Sequence, residues 1–198
     1  LGRTGRPIPA RHLAATEGLF VGTAPPYEMV RIGLGWYGEL GIGVTPTPEL
    51  AGIAAELRPA LRVVARPVRL ETVAAGSSVG YGGEWTAGRA SRIATLPIGY
   101  ADGWSRASWP GGVALAGGRR VPIAGRVSMD SVCVDVTDVE GMGMDDEVVL
   151  LGAQGDERIT ANEVAALRRT IPNEVLSSLG ARLPRVFVGS DQFAGAAR

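Results

Sequence analysis

Two tyrosines stand in glycine-framed turns, Tyr81 in SSVGYGG and Tyr100 in LPIGYADGW, and Met129 follows an arginine turn in AGRVSMD. A phenol can exchange a proton, but a free one ionises near pH 10, so work at neutral pH needs neighbours that depress that value or take the proton away. Residue types alone make Tyr81 a turn aromatic and Met129 core filler. They make His12, the single histidine, a satisfied core residue and Arg31 a solvated or ion-paired strand end. The one cysteine, Cys133, sits in the alternating run SVCVDV and reads as a buried strand thiol, with no disulfide framework or metal set around it. A lone histidine without a nucleophile elbow does not build a hydrolase. GLGWYG, from Gly33 to Gly38, satisfies G-x-G-x-x-G after a credible strand, yet ELGIGVTPTP follows where the dinucleotide pattern needs a helix. The same backbone amides remain able to seat some other phosphate.

The elements that must carry these residues follow from composition and pattern. At 198 residues and 45% apolar, the chain can bury a real core. Zero formal net charge and a pI near 6.8 leave no basic footprint for nucleic acid or a membrane surface, so small neutral partners are favoured. No apolar run is long enough to span a bilayer, which points to a cytoplasmic protein. The opening Leu-Gly-Arg runs straight into RPIPARHLAAT and reads as a domain interior, so a fragment or processed product is expected. RHLAA, EGLFVG and YEMVRIGL predict strand, short helix and strand over residues 1–40. Pro46, Pro48 and Pro59 surround a possible helix capped by Thr47, which makes 41–60 an interdomain crossing. From Leu61 to Leu151, short apolar runs separated by Gly, Asp and Pro predict a compact β-barrel or sandwich. Thr160 and Glu163 suggest a capping box for TANEVAALRRT, with Pro172 breaking that helix. A second helix, NEVLSSLG, is expected to end at Gly180, before a last strand, RLPRVFVG, and a flexible tail over 191–198. The fold class is mainly β with some α: a β-rich domain over 61–190 plus two strands of an incomplete barrel.

Taken together and in order, HLAAT, MVRIGLGWYG, SSVGYGG, GYADGWSR and AGRVSMD resemble the C-terminal portion of the alanine racemase family, which depends on pyridoxal 5'-phosphate (PLP). The resemblance spans His12 to about Val188 and implies that residues 1–40 are the closing strands of a (β/α)8 barrel. It implies that Thr16 offers a hydroxyl, and Gly33 and Leu34 their N–H groups, to the cofactor phosphate. Arg31 would face the pyridine nitrogen, where a permanently charged guanidinium keeps a proton off the ring, and His12 would support Arg31. Tyr81 would be the acid/base on one face of the substrate Cα, reaching across a homodimer interface into the partner's barrel. Tyr100, Arg106 and Arg126 would line the substrate corridor, and the Met129 N–H would help bind the substrate carboxylate. In this family a lysine serves the other face and holds the cofactor as a Schiff base. This chain has none: all 20 basic residues are arginines, so the piece alone is expected to be inactive.

One departure bears on substrate. Most family members carry tyrosine immediately before the Glu-Val pair of TIPNEV, where this chain has Asn173. Asparagine is shorter and offers both a donor and an acceptor, leaving space and a partner for a hydroxyl-bearing side chain. Serine therefore joins alanine as an expected substrate. A non-catalytic β-domain serving as a binding or dimerisation module is the alternative.

Overall fold

The computed structural model describes residues 9–189. Packing divides the chain between residues 60 and 61 into two units.

In the first unit, strands β1 (His12–Ala15) and β2 (Met29–Arg31) pair in parallel, with His12 opposite Met29 and Ala15 opposite Arg31. Parallel neighbours need a crossover, and helix α1 (Thr16–Phe20) provides part of it. Ala14 of β1, Thr16 and Phe20 of the helix, and Leu34 are buried. A 3-10 turn over Leu34–Tyr37 ends at Gly38, whose φ of 69° is left-handed. A Cβ there would lie 1.7 Å from the Arg58 carbonyl, so only glycine fits. Helix α2 (Pro48–Glu56) begins as the sequence predicts, with Thr47 extended at the cap position and Pro48 first in the helix. The Thr47 side chain, however, caps no helix amide.

The second unit contains β3 (Val63–Ala65), β4 (Arg69–Val73), β5 (Ser78–Val79), β6 (Trp85–Thr86), β7 (Ser91–Leu96), β8 (Val113–Ala116), β9 (Arg119–Pro122), β10 (Val132–Asp135), β11 (Val148–Gln154) and β12 (Glu157–Ile159). One sheet runs β10-β7-β4; a second runs β12-β11-β8-β9, with β3 also on β11; β5 and β6 form a separate hairpin. All these pairings are antiparallel. The two larger sheets are stitched by an Ile123–Val134 bridge and by the Ala124 N–H donating to the Cys133 carbonyl at 2.8 Å. Side chains from both, among them Leu96, Leu115, Ile123, Val134 and Leu150, fill one core. Val148, Val149, Leu150 and Leu151 are all buried, so both faces of this central strand are covered. Cys133 is partly buried beside the Thr95 hydroxyl, and burial pushes its thiol pKa up, which keeps it unreactive.

Helix α3 (Ala161–Arg168) starts at Thr160, whose Oγ1 accepts the Glu163 N–H at 3.1 Å. Glu163 does not complete the box, because its carboxylate is engaged by Arg120, which also binds Glu157. Three expectations need correction. Helix α3 stops at left-handed Arg169 (φ 56°), and Pro172 opens helix α4 (Pro172–Ser177) instead of breaking α3. Helix α4 ends at Ser177, short of Gly180. RLPRVFVG forms no strand: Arg182 and Arg185 are drawn to Asp102 and the Leu179 carbonyl, and Phe187 is 94% exposed with nothing to pair against. The expected tail over 191–198 lies outside the described residues.

Candidate active site

Tyr81 sits at the tip of the β5–β6 hairpin, in which Val79 faces Trp85. Gly80, Gly82 and Gly83 turn the chain through left-handed backbone (φ 79°, 80° and 61°), which bulkier residues resist. The hairpin lies against Gly125, where a Cβ would come within 2.3 Å of the Val79 carbonyl. Its far side is pinned by Glu84, whose carboxylate accepts from Arg126 Nη2 and, at 3.1 Å, from Trp109 Nε1. The Arg126 hydrogen bond, with Trp109 adding to it, holds the Glu84 carboxyl below its usual range. Tyr81 itself is 68% exposed, and its hydroxyl has no partner among the described residues.

Tyr100 opens a 3-10 turn over Tyr100–Asp102. Its N–H donates to the Ser128 carbonyl (3.0 Å), and the Ala101 N–H donates to the Met129 carbonyl (2.8 Å). Gly99 permits this approach: a Cβ there would lie 2.4 Å from the Ser128 oxygen. Met129 is 59% exposed, contrary to the core position its residue type suggests. Its N–H has no acceptor among the described residues. Arg106 donates from Nη1 to the Val127 carbonyl (2.8 Å), joining the same pair of segments. Tyr100, Arg106, Arg126 and Met129 are thus held on two interlocked loops.

A cavity of about 440 Å³ opens beside the turn, lined by Tyr100, Ser105, Arg106, Arg168, Thr170 and Glu174 among others. Arg168 stacks on the buried Trp104 ring at 4.4 Å and donates from Nε to Ser108 Oγ at 3.0 Å, while its buried Nη2 lacks a partner among the described residues. Burial lowers its pKa to about 10. Asn173 is exposed at the second position of α4 and does not line this cavity.

In the first unit, Thr16 Oγ1 accepts the Gly33 N–H (3.0 Å) and the Gly35 N–H (3.2 Å). The Thr16 hydroxyl proton stays available, as does the Leu34 N–H, which has no acceptor among the described residues. A Cβ on Gly33 would meet nothing within 4 Å, so open space lies against that residue. A hydroxyl and a free amide at the start of a turn fit a phosphate group. Arg31 is exposed and donates from Nη2 to the Leu13 carbonyl at 3.3 Å; His12 is also exposed, two strand positions from Ala14.

Sequence reading missed Glu84, Trp109, Asp102, Arg168 and Arg182, all of which hold these loops. Asp102 alone left a trace, as the acid in GYADG three residues after a glycine; the others act over long sequence separations that no local pattern reveals.

The family profile described as alanine racemase, C-terminal domain, matches residues 60–187. The alanine racemase of Sorangium cellulosum is 43% identical over 181 residues, covering 89% of this chain and 46% of that protein. That of Carboxydothermus hydrogenoformans is 40% identical over 184 residues, covering 93% of this chain and 49% of the relative. Among solved structures, Bacillus anthracis alanine racemase with bound L-Ala-P superposes with a TM-score of 0.82 at 32% identity, covering 96% of this chain and 47% of that one. Bartonella henselae alanine racemase with covalently bound pyridoxal phosphate gives 0.76 at 34% identity over 92% of this chain and 48% of its own. The chain thus spans about half the length of the relatives it matches. Over that half, the motifs, the two-sheet fold and the profile agree: the chain belongs to the alanine racemase family and carries its C-terminal domain.

Proposed function

We propose that this chain is the C-terminal part of a PLP-dependent racemase that interconverts L- and D-alanine, with serine as a second substrate. The reading is carried by Tyr81: an exposed phenol without a partner among the described residues, on a hairpin held by left-handed glycines and by Glu84. Inverting a stereocentre needs proton removal on one face of Cα and delivery on the other, and the Tyr81 oxygen serves one face. The phenol reaches a second copy of the protein, so a homodimer with shared sites belongs to the reading, as does a cytoplasmic setting. PLP, when bound, supplies the electron sink that acidifies the Cα–H bond. Thr16 and Leu34 would hold its phosphate, while the Gly33 N–H, expected to join them, donates to Thr16 Oγ1 instead; Arg31, steadied by the Leu13 carbonyl, would keep a proton off its ring nitrogen. The Met129 N–H binds the substrate carboxylate, while Tyr100, Arg106 and Arg126 screen what arrives. The lysine for the other face comes from polypeptide outside this chain.

The test is the whole protein. It should show visible cofactor absorbance that borohydride abolishes, and it should exchange alanine enantiomers. Tyr81→Phe should lower that exchange by about 100-fold or more without shifting thermal unfolding. Unchanged exchange in the variant, or a colourless inactive whole protein, refutes the proposal.

A further inference from the structure

Among the described residues, Asp102 is the only buried carboxylate, with 0% exposure. Its oxygens are fully engaged: Oδ2 accepts the Gly99 N–H at 2.9 Å and Arg182 Nη2, and Oδ1 accepts Arg182 Nε. Arg182 Nη2 also reaches the Pro97 carbonyl at 3.1 Å, and the Asp102 carbonyl accepts the Gly180 N–H at 2.8 Å. The 99–103 turn is therefore clamped by residues 180–182 on one side. On the other side, it grips residues 128–129 through the Tyr100 and Ala101 amides.

The direction of that grip matters. The Ser128 carbonyl and the Met129 N–H belong to one trans peptide group, in which C=O and N–H point opposite ways. By donating to the Ser128 oxygen at 3.0 Å, the Tyr100 N–H aims the Met129 N–H away from the turn and polarises it as a donor. An ion pair with an exposed arginine adds little net stability, but two guanidinium nitrogens on one carboxylate fix its geometry.

We infer that Asp102 and Arg182 are positioning residues for substrate binding: they hold the turn whose Tyr100 amide orients the Met129 N–H toward the substrate carboxylate. This rests on the racemase reading, which supplies that carboxylate.

The whole enzyme provides the test. In Asp102→Asn and Arg182→Gln, KM for alanine should rise about tenfold, the scale of one misaligned charge-assisted hydrogen bond, with a smaller change in kcat. Inhibition by propionate, a carboxylate without an amine, should weaken by the same factor; inhibition by ethylamine, which lacks the carboxylate, should not. Because Asp102→Asn can compromise folding, Arg182→Gly provides a second route. The Arg182 side chain is 57% exposed, so added guanidinium ion should enter the vacated site and restore KM. A merely structural role would reduce the amount of active enzyme and leave KM and propionate inhibition unmoved, and that result overturns the inference. A wild-type protein that fails to racemise sinks the functional reading instead.

Discussion

Replacing Gly99 with alanine isolates the contact between the two interlocked loops. Gly99 has φ −146° and ψ −163°, extended backbone that alanine adopts without strain, so any effect comes from the added methyl group. That Cβ would lie 2.4 Å from the Ser128 oxygen, 2.5 Å from the Met129 carbonyl carbon and 2.6 Å from the Asp130 nitrogen. All three are backbone atoms, and none can rotate away. Carbon and oxygen rest comfortably near about 3.3 Å, so the segments must part by roughly 0.9 Å. The Tyr100–Ser128 and Ala101–Met129 bonds, now 3.0 and 2.8 Å, would then exceed hydrogen-bonding length. Two backbone bonds at about 1 kcal/mol each amount to about 2 kcal/mol, or a fall of about 4–8 °C in Tm for a unit of about 200 residues and less for a whole enzyme of its relatives' length. KM for alanine should rise about tenfold as the Met129 N–H loses its aim. Gly88→Ala is the control, since a Cβ there meets nothing within 4 Å. Calorimetry and steady-state kinetics on the whole enzyme decide the matter. If Gly99→Ala behaves like Gly88→Ala in both, the interlocked packing described above is wrong.

Three further outcomes are expected. The whole enzyme should racemise serine at a rate comparable to alanine, and Asn173→Tyr should shift the ratio toward alanine by about 100-fold, the scale on which a pocket discriminates against an added hydroxyl; identical ratios in both forms refute the role given to Asn173. Arg182 holds the Asp102 carboxyl below its ordinary range, so its stabilisation is present above the unfolded value of about 4 and is lost as pH falls through the folded one. Urea unfolding should accordingly show wild type and Asp102→Asn diverging at neutral pH and converging in acid, and a constant gap across pH counts against the pair. Arg168 is charged, largely buried and short of one partner, so Arg168→Met should leave Tm unchanged or raised, whereas Arg168→Ala should lower it by opening space beneath Trp104; a large loss in the methionine variant refutes this.

Much of the β-rich unit was legible because its strands obey simple periodicity. Strand β10 alternates, β11 is a continuous apolar run covered on both faces, and Thr160 announces α3. The candidate site rests, in the sequence, only on a set of family motifs. Residue types alone made Met129 core filler, yet it stands exposed because Gly99 lets a second backbone occupy the space behind it. RLPRVFVG has the composition of a strand, but its arginines are claimed by Asp102 and Leu179, and no sheet edge receives it. Pro172 was ambiguous for a physical reason: proline both ends a helix and favours the first position of the next. Glu84 and Arg182 were invisible, since their partners lie 42 and 80 positions away.

That last separation sets an order of events. Contacts between distant parts of a chain form late, because the intervening loop must first be closed at an entropic cost. Strand β3 meets β11, Val63 against Leu151, across a separation as long as that between Asp102 and Arg182. The clamp on the 99–103 turn therefore belongs with the last sheet pairings to close, and a ribosome must release the chain as far as Arg182 before that turn is held.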